Sequence, residues 1–247
     1  MTRRATKIAE ERAKGDALLV LDAGDSLVGD QDPARKTQGE TSVAVMNLMD
    51  YDAMALGPNE LALGLSVLRQ RIAEAEFAVL SADAVLSDTG ELVAVPYTLR
   101  AFDGYQVAII GLSGGGGVPG ILILDPLETA QNVVAQVMPL AEVIILLSHA
   151  GTSIDQQIAE NVPGIDLIIS GGKFELATPW RSEKTGTLIL HADEASPGHA
   201  GRRLGIARLT FDTQGQLVEQ AWQRLDLSQD IPEDPEMMDW VWQQMGR

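Results

Sequence analysis

The chain contains no cysteine, which excludes disulfides, thiolate nucleophiles and Cys-ligated zinc. Aromatic residues make up only 4% of its 247 residues, and there are three histidines: His149, His191 and His199. Positive charge is scarce, with 18 Lys and Arg against 35 Asp and Glu, a formal net charge of −17. Nucleic acid and anionic membranes both need a basic face, so neither is expected as a partner. A small phosphorylated ligand stays compatible, because one local pocket can bind it. No apolar run approaches the roughly 18 residues of a membrane span. The N-terminal MTRRATKIAEERAKG is basic and helix-like, without the apolar centre of a signal peptide. A soluble, cytoplasmic protein is the resulting expectation, and an exported mature form remains open.

Apolar residues make up 45% of the chain, enough for a sizeable buried core. Short apolar runs alternate with amphipathic stretches. Strands are predicted at Ala17–Asp22, Ala53–Gly57, Phe77–Ser81, Glu142–Ser148 and Ile165–Ser170. Helices are predicted at Glu40–Met49, Leu61–Ala75 and Ser153–Asn161, with another from Asp125 to about Met138. Asp125-Pro126-Leu127-Glu128 starts that last helix with a capping box and Pro at its first position. Leu92–Leu99 and Tyr105–Gly111 read as strands joined through the Asp103-Gly104 turn. Thr187–Ala192, Arg203–Asp212 and Leu217–Asp226 read as strands, with Asp212-Thr213-Gln214-Gly215 turning between the last two. A polar stretch after Pro232 leads to a helix at Glu236–Met245 that carries Trp240 and Trp242, both read as packing residues. The expected division is one domain over residues 1–228, then a polar linker and helix over 229–247. Strand–helix alternation in the first two-thirds predicts an α/β fold with a largely parallel sheet.

In open α/β sheets, functional groups gather at the carboxyl ends of strands. Those ends present Asp22 and Asp25 (LLVLDAGDSLVG), Asn59 and Glu60 (LGPNELALG), His149 (SHAG), and Lys173 and Glu175 (SGGKFEL). Glu60 reads as a cap or a solvent-facing carboxylate, and Asn59 as a turn residue after Pro58. Gly114–Gly117 reads as a mobile surface loop or, less readily, a phosphate cradle. No Lys-Ser/Thr comes after it, as a nucleotide P-loop would require.

These segments, in this order, resemble the N-terminal domain of the 5′-nucleotidase family of calcineurin-like metallophosphoesterases. TRRATKIAEER before LLVLDAGDSLVG resembles that family's first helix and GD motif, and YDAMALGPNELALG resembles its GNHE segment. FAVLSADAV (with Asp83), PYTLRAFDGYQVAIIGL, VIILLSHAGTSIDQQIAENVPGIDLIISGG and LGIARLTFD resemble further blocks. The resemblance implies a four-layer α/β/β/α sandwich with mixed sheets, here without the usual first strand. It also implies two divalent metals, roughly 3.5–4 Å apart, that activate a water for attack on a phosphate ester. Asp25 matches the bridging aspartate and His149 a histidine ligand. The family's opening Asp-x-His has no counterpart. Pro58 and Asn59 stand where it has an asparagine ligand and a catalytic histidine. Lys173 and Glu175 stand where it has two histidine ligands, and the Lys173 ammonium would repel a metal and neutralise Asp25 instead. The resemblance therefore implies a degraded two-metal site, with Asp25, His149 and Glu175 as remnant ligands and Asp22, Glu60 and Asp83 lining the pocket. An inactive domain that binds or scaffolds is expected, with no cofactor. The alternatives are an active hydrolase using Mn, Zn, Mg or Co in a remodelled site, and a structural oligomer subunit. A homo-oligomer or a partner chain covering an open sheet edge is the corresponding partner expectation.

Overall fold

Residues 143–148, VIILLS, are buried on both faces, which is the pattern of a central parallel strand. The computed structural model describes residues 1–29, 32–172, 176–193, 201–212, 215 and 217–244. The elements begin with α1 (Thr2–Arg12), β1 (Leu21–Asp22), α2 (Glu40–Leu48), β2 (Ala53–Ala55), α3 (Pro58–Leu61), α4 (Leu65–Glu74), β3 (Ala78–Leu80) and β4 (Ala84–Leu86). They continue with β5 (Tyr97–Phe102), β6 (Tyr105–Leu112), β7 (Ile121–Ile123), α5 (Pro126–Val137), β8 (Val143–Ser148), α6 (Thr152–Asn161) and β9 (Leu167–Ser170). The last are β10 (Trp180–Arg181), β11 (Leu188–His191), β12 (Arg203–Phe211), β13 (Leu217–Asp226) and α7 (Pro235–Gln244).

One sheet runs β1-β2-β3, all parallel, and a larger one runs β10-β11-β9-β8-β6-β5. In the larger sheet β11, β9, β8 and β6 are parallel, and the edge strands β10 and β5 are antiparallel. Two-stranded pairs β4-β7 and β12-β13 complete the set.

Side-chain alternation produces the layers. Val107 and Ile109 of β6 join Ile145 and Leu147 of β8 in a core that also takes Ala53 and Ala55 of β2. That core lies between the sheets, and Trp222 packs against it. Ala108, Ile110, Ile144 and Leu146 point the other way, into a core with Val133 and Val134 of α5 and Ile158 of α6. Met54 and Leu56 point to a third core with Ile8 of α1, Val43 and Met46 of α2, Leu68 of α4 and Met237 of α7. Helices, sheet, sheet and helices thus stack in four layers, as expected. Fully burying one such side chain contributes roughly 1.5–3 kcal/mol.

Several local expectations are corrected. Ala17–Asp22 has a paired ladder over Leu21–Asp22 alone. Leu92–Leu99 is a pair of isolated bridges at Leu92 and Val95, and the hairpin strand begins at Tyr97. Pro96 lacks the N–H that would continue a ladder. Leu61–Ala75 divides at Gly64 (φ 80°) into α3 and α4. Asp125 does cap α5, accepting the Glu128 N–H at 2.8 Å. The Thr213-Gln214 turn lies outside the described residues.

Candidate functional site

The carboxyl ends of β1, β2, β8 and β9 meet around two side chains. After β1 the chain turns sharply through Gly24 (φ 100°) and Asp25 (φ 60°). A left-handed conformation is strained for Asp, and local hydrogen bonds hold it. Asp22 accepts the Gly24 N–H at 2.9 Å and the Ser26 hydroxyl at 2.8 Å. Glu60 accepts three N–H groups, from Asp25, Leu27 and Gly57, each at 2.9 Å. It is 0% exposed, so the solvent-facing alternative is excluded and the capping alternative holds. Burial raises its pKa to about 7, helped by the charge of Asp25 and opposed by the three N–H bonds.

Asp25 is engaged through both oxygens. Oδ1 accepts the Asn59 N–H at 2.8 Å, and Oδ2 lies 3.2 Å from His149 Nε2. Asn59 therefore meets Asp25 through its backbone. Pro58, at the first position of α3, lends it a fixed φ and no side-chain donor. Gly57 permits the approach, since a Cβ there would sit 2.3 Å from Asp25 Oδ1.

His149 comes directly after β8 and is almost fully buried. Its Nδ1 lies 2.8 Å from the Ala23 carbonyl. A carbonyl only accepts, so Nδ1 carries a proton and Nε2 faces the carboxylate. Burial disfavours the imidazolium, but the hydrogen bond and charge of Asp25, the Ala23 carbonyl and the Glu60 charge together raise its pKa. The ring sits in a glycine slot: a Cβ on Gly171 would lie 2.7 Å from Nδ1, and one on Gly24 3.1 Å from it.

Asp83 belongs to the adjoining loop rather than to this pair. It is 0% exposed and accepts the Ser113 and Gly114 N–H groups at 2.8 and 2.9 Å. Gly114, the first residue of the glycine run, and Ser113 before it therefore give their amides to an internal carboxylate and not to a phosphate. The loop closes over the site, because Gly114 lies against Ala150 and Gly115 against Pro58. His191 ends β11 opposite Ser170, buried, its pKa lowered by that burial. Lys173, Glu175 and His199 lie outside the described residues.

The donor set can be tested against a metal. A histidine whose Nδ1–H is fixed by a backbone carbonyl presents Nε2 as a ligand, the usual arrangement at metal sites. Asp25 Oδ2 and His149 Nε2 fit that role. Among the described residues no cluster of three or more His, Cys, Asp or Glu forms around them. Structural and catalytic zinc sites need at least three protein ligands.

No family model matches the chain. It is 31% identical to the trifunctional nucleotide phosphoesterase YfkN of Bacillus subtilis, over 86% of this chain and 17% of that protein. It is also 31% identical to the snake venom 5′-nucleotidase of Crotalus adamanteus, over 96% of this chain and 44% of that one. The crystal structure of a 5′-nucleotidase precursor from Thermus thermophilus superposes with a TM-score of 0.82 at 27% identity, covering 99% of this chain and 53% of that one. The chain belongs to the 5′-nucleotidase and calcineurin-like metallophosphoesterase family. It spans less than half the length of those two curated relatives.

Within this metallophosphoesterase fold, sequence reasoning named Asp22, Asp25, Glu60 and His149 at strand ends, without pairing Asp25 with His149. It missed a buried carboxylate, Asp155, which binds the hydroxyls of Ser148 and Ser170 at 2.5 Å each. Serines ending the apolar runs VIILLS and LIIS were the signal in the sequence, since a buried hydroxyl needs a partner. No helix among the described residues is long and apolar enough to cross a membrane.

Proposed function

We propose that this metallophosphoesterase-fold domain has exchanged two-metal catalysis for a closed Asp25–His149 ion pair, and acts by binding a small phosphorylated ligand or as a scaffold. The observation that carries this reading is the double engagement of Asp25, by the Asn59 N–H at 2.8 Å and by His149 at 3.2 Å. Proline and asparagine at 58 and 59 also lack the imidazole that the family pattern uses for proton transfer. The names of the relatives, a nucleotide phosphoesterase and a 5′-nucleotidase, support a nucleotide-like ligand.

Nδ1–H of His149 on the Ala23 carbonyl favours a second reading, a metal-dependent phosphohydrolase with a remodelled site. Asp25 and His149 would then hold the metal, whose chemistry is to supply hydroxide and neutralise phosphoryl charge. Hydrolysis of p-nitrophenyl phosphate and a nucleoside monophosphate, measured with Mn²⁺, Co²⁺ and Zn²⁺, separates the two. The first reading expects no metal-dependent turnover. Turnover that Asp25→Ala abolishes establishes the second.

A further inference from the structure

Asp155 lies on α6 and is 0% exposed. Its carboxylate takes one hydroxyl from each of two neighbouring strands, Ser148 of β8 on Oδ1 and Ser170 of β9 on Oδ2. These serines are register partners in the parallel ladder, so they project from the same face. Each is the last residue of its strand. Ser148 also accepts the Ala150 N–H at 3.2 Å, which ties the turn beyond it.

The residues just beyond the two serines are the decisive ones. His149 comes after Ser148, and Gly171-Gly172 after Ser170. The Gly171 backbone is pressed so closely to His149 that a Cβ would lie 2.7 Å from both Nδ1 and the Ala23 carbonyl oxygen. The Gly171 N–H donates to the Ser148 carbonyl at 2.7 Å, closing the last rung. A buried carboxylate carries a desolvation penalty that apolar residues of equal volume avoid. Apolar residues of equal volume would hold α6 on the sheet, and what the carboxylate adds is fixed geometry at two strand ends.

We propose that Asp155 is a positioning residue for His149. By clamping the ends of β8 and β9 together it sets the width of the glycine slot. The slot keeps Nδ1–H on the Ala23 carbonyl and turns Nε2 toward Asp25. The proposal rests on the reading of Asp25 and His149 as the working centre, and holds whether that centre binds a metal or stays an ion pair.

The test uses the full chain labelled with ¹⁵N-histidine, with the His149 signal assigned by its loss in His149→Gln. In the unsubstituted protein Nδ1–H is expected as a hydrogen-bonded, slowly exchanging resonance. Asp155→Ala is expected to speed its exchange by about tenfold or more while circular dichroism stays native. Asp155→Asn restores the signal, because its carbonyl accepts one hydroxyl and its amide donates to the other. If Asp155→Ala does not fold, Ser170→Ala breaks the clamp at its β9 end while leaving the bond between Ser148 and the Ala150 N–H in place, and the same faster exchange is expected. A lowered melting temperature with an unmoved Nδ1–H signal makes Asp155 merely structural and overturns the proposal. Metal-dependent turnover would sink the ion-pair function and leave this measurement untouched.

Discussion

Glu60 accepts the backbone N–H of Asp25 at 2.9 Å, and the same carboxylate oxygen takes the N–H of Gly57. One buried side chain thus joins the turn after β1 to the turn after β2. Its removal leaves three donors without acceptors, two of them buried and the third, at Asp25, partly buried. Each costs about 1–3 kcal/mol, so Glu60→Ala should destabilise the fold by at least about 3 kcal/mol. For a domain of this size the melting temperature should fall by roughly 6–12 °C.

The same residue tilts stability with pH. Glu60 has an ordinary value of 4.5 and is held at about 7, so between those values the folded chain keeps a proton that the unfolded chain releases. Its contribution is complete below pH 4.5 and is lost as the pH rises through 7. His149, raised above 6.5, adds a loss of the same sign above that value. Asp166, pushed by burial to about 6, has largely finished its own contribution there. From about pH 6 to pH 8 the unfolding free energy should fall by roughly 1–2 kcal/mol, at about 1.36 kcal/mol per pH unit. Urea midpoints across that range measure it. Glu60→Gln should flatten the profile, and an unchanged slope would reject the assignment.

Gly57→Ala tests how tightly the two turns meet. The added methyl would lie 2.3 Å from Asp25 Oδ1 and 2.7 Å from its backbone nitrogen. Backbone cannot retreat cheaply, so a cost of about 2–3 kcal/mol is expected, at the upper end for overpacking. Gly64→Ala is the control. No atom lies near its Cβ, so any cost there comes from its φ of 80°. A melting temperature for Gly57→Ala equal to the unsubstituted protein's would show that the turns can separate.

Much of this was legible in the sequence, and the rest failed for identifiable reasons. Period-2 alternation and short apolar runs located β6, β8 and β9, because residues buried on both faces leave a continuous hydrophobic signal. The pair β4-β7 was missed. Each strand is three residues long, and they pair across a separation in sequence that no local pattern encodes. At the site, Asp25 and His149 stood out beside glycines at strand ends. Glu60 was read there too, as either a cap or a solvent-facing carboxylate, and Asp155 was not read at all, because a buried carboxylate and a solvated one look alike until the donors that satisfy it are in place. Asp83 was grouped with the pocket, yet it holds the loop that covers the pocket. Asp83→Ala would free the Ser113 and Gly114 amides, and hydrogen exchange over residues 113–117 should accelerate sharply. Protection equal to the unsubstituted protein's would show that another group anchors that loop.

The last test concerns the charge on His149. With Nδ1–H committed to Ala23, Nε2 can donate to Asp25 only as imidazolium. Burial alone would drive the ring toward neutrality, and Asp25 supplies the largest opposing effects. Asp25→Asn keeps the shape and removes the charge. Burial then prevails, and the His149 titration should move from above 6.5 to below it, read from the pH dependence of its Cε1–H resonance. Glu60 loses a like-charged neighbour in the same variant, so its titration should fall from about 7 toward the ordinary carboxylate range. The two shifts have a common origin and should appear together. A His149 titration that stays above 6.5 in Asp25→Asn would mean that some other anion holds the imidazolium, and the ion pair would lose its place at the centre of the site.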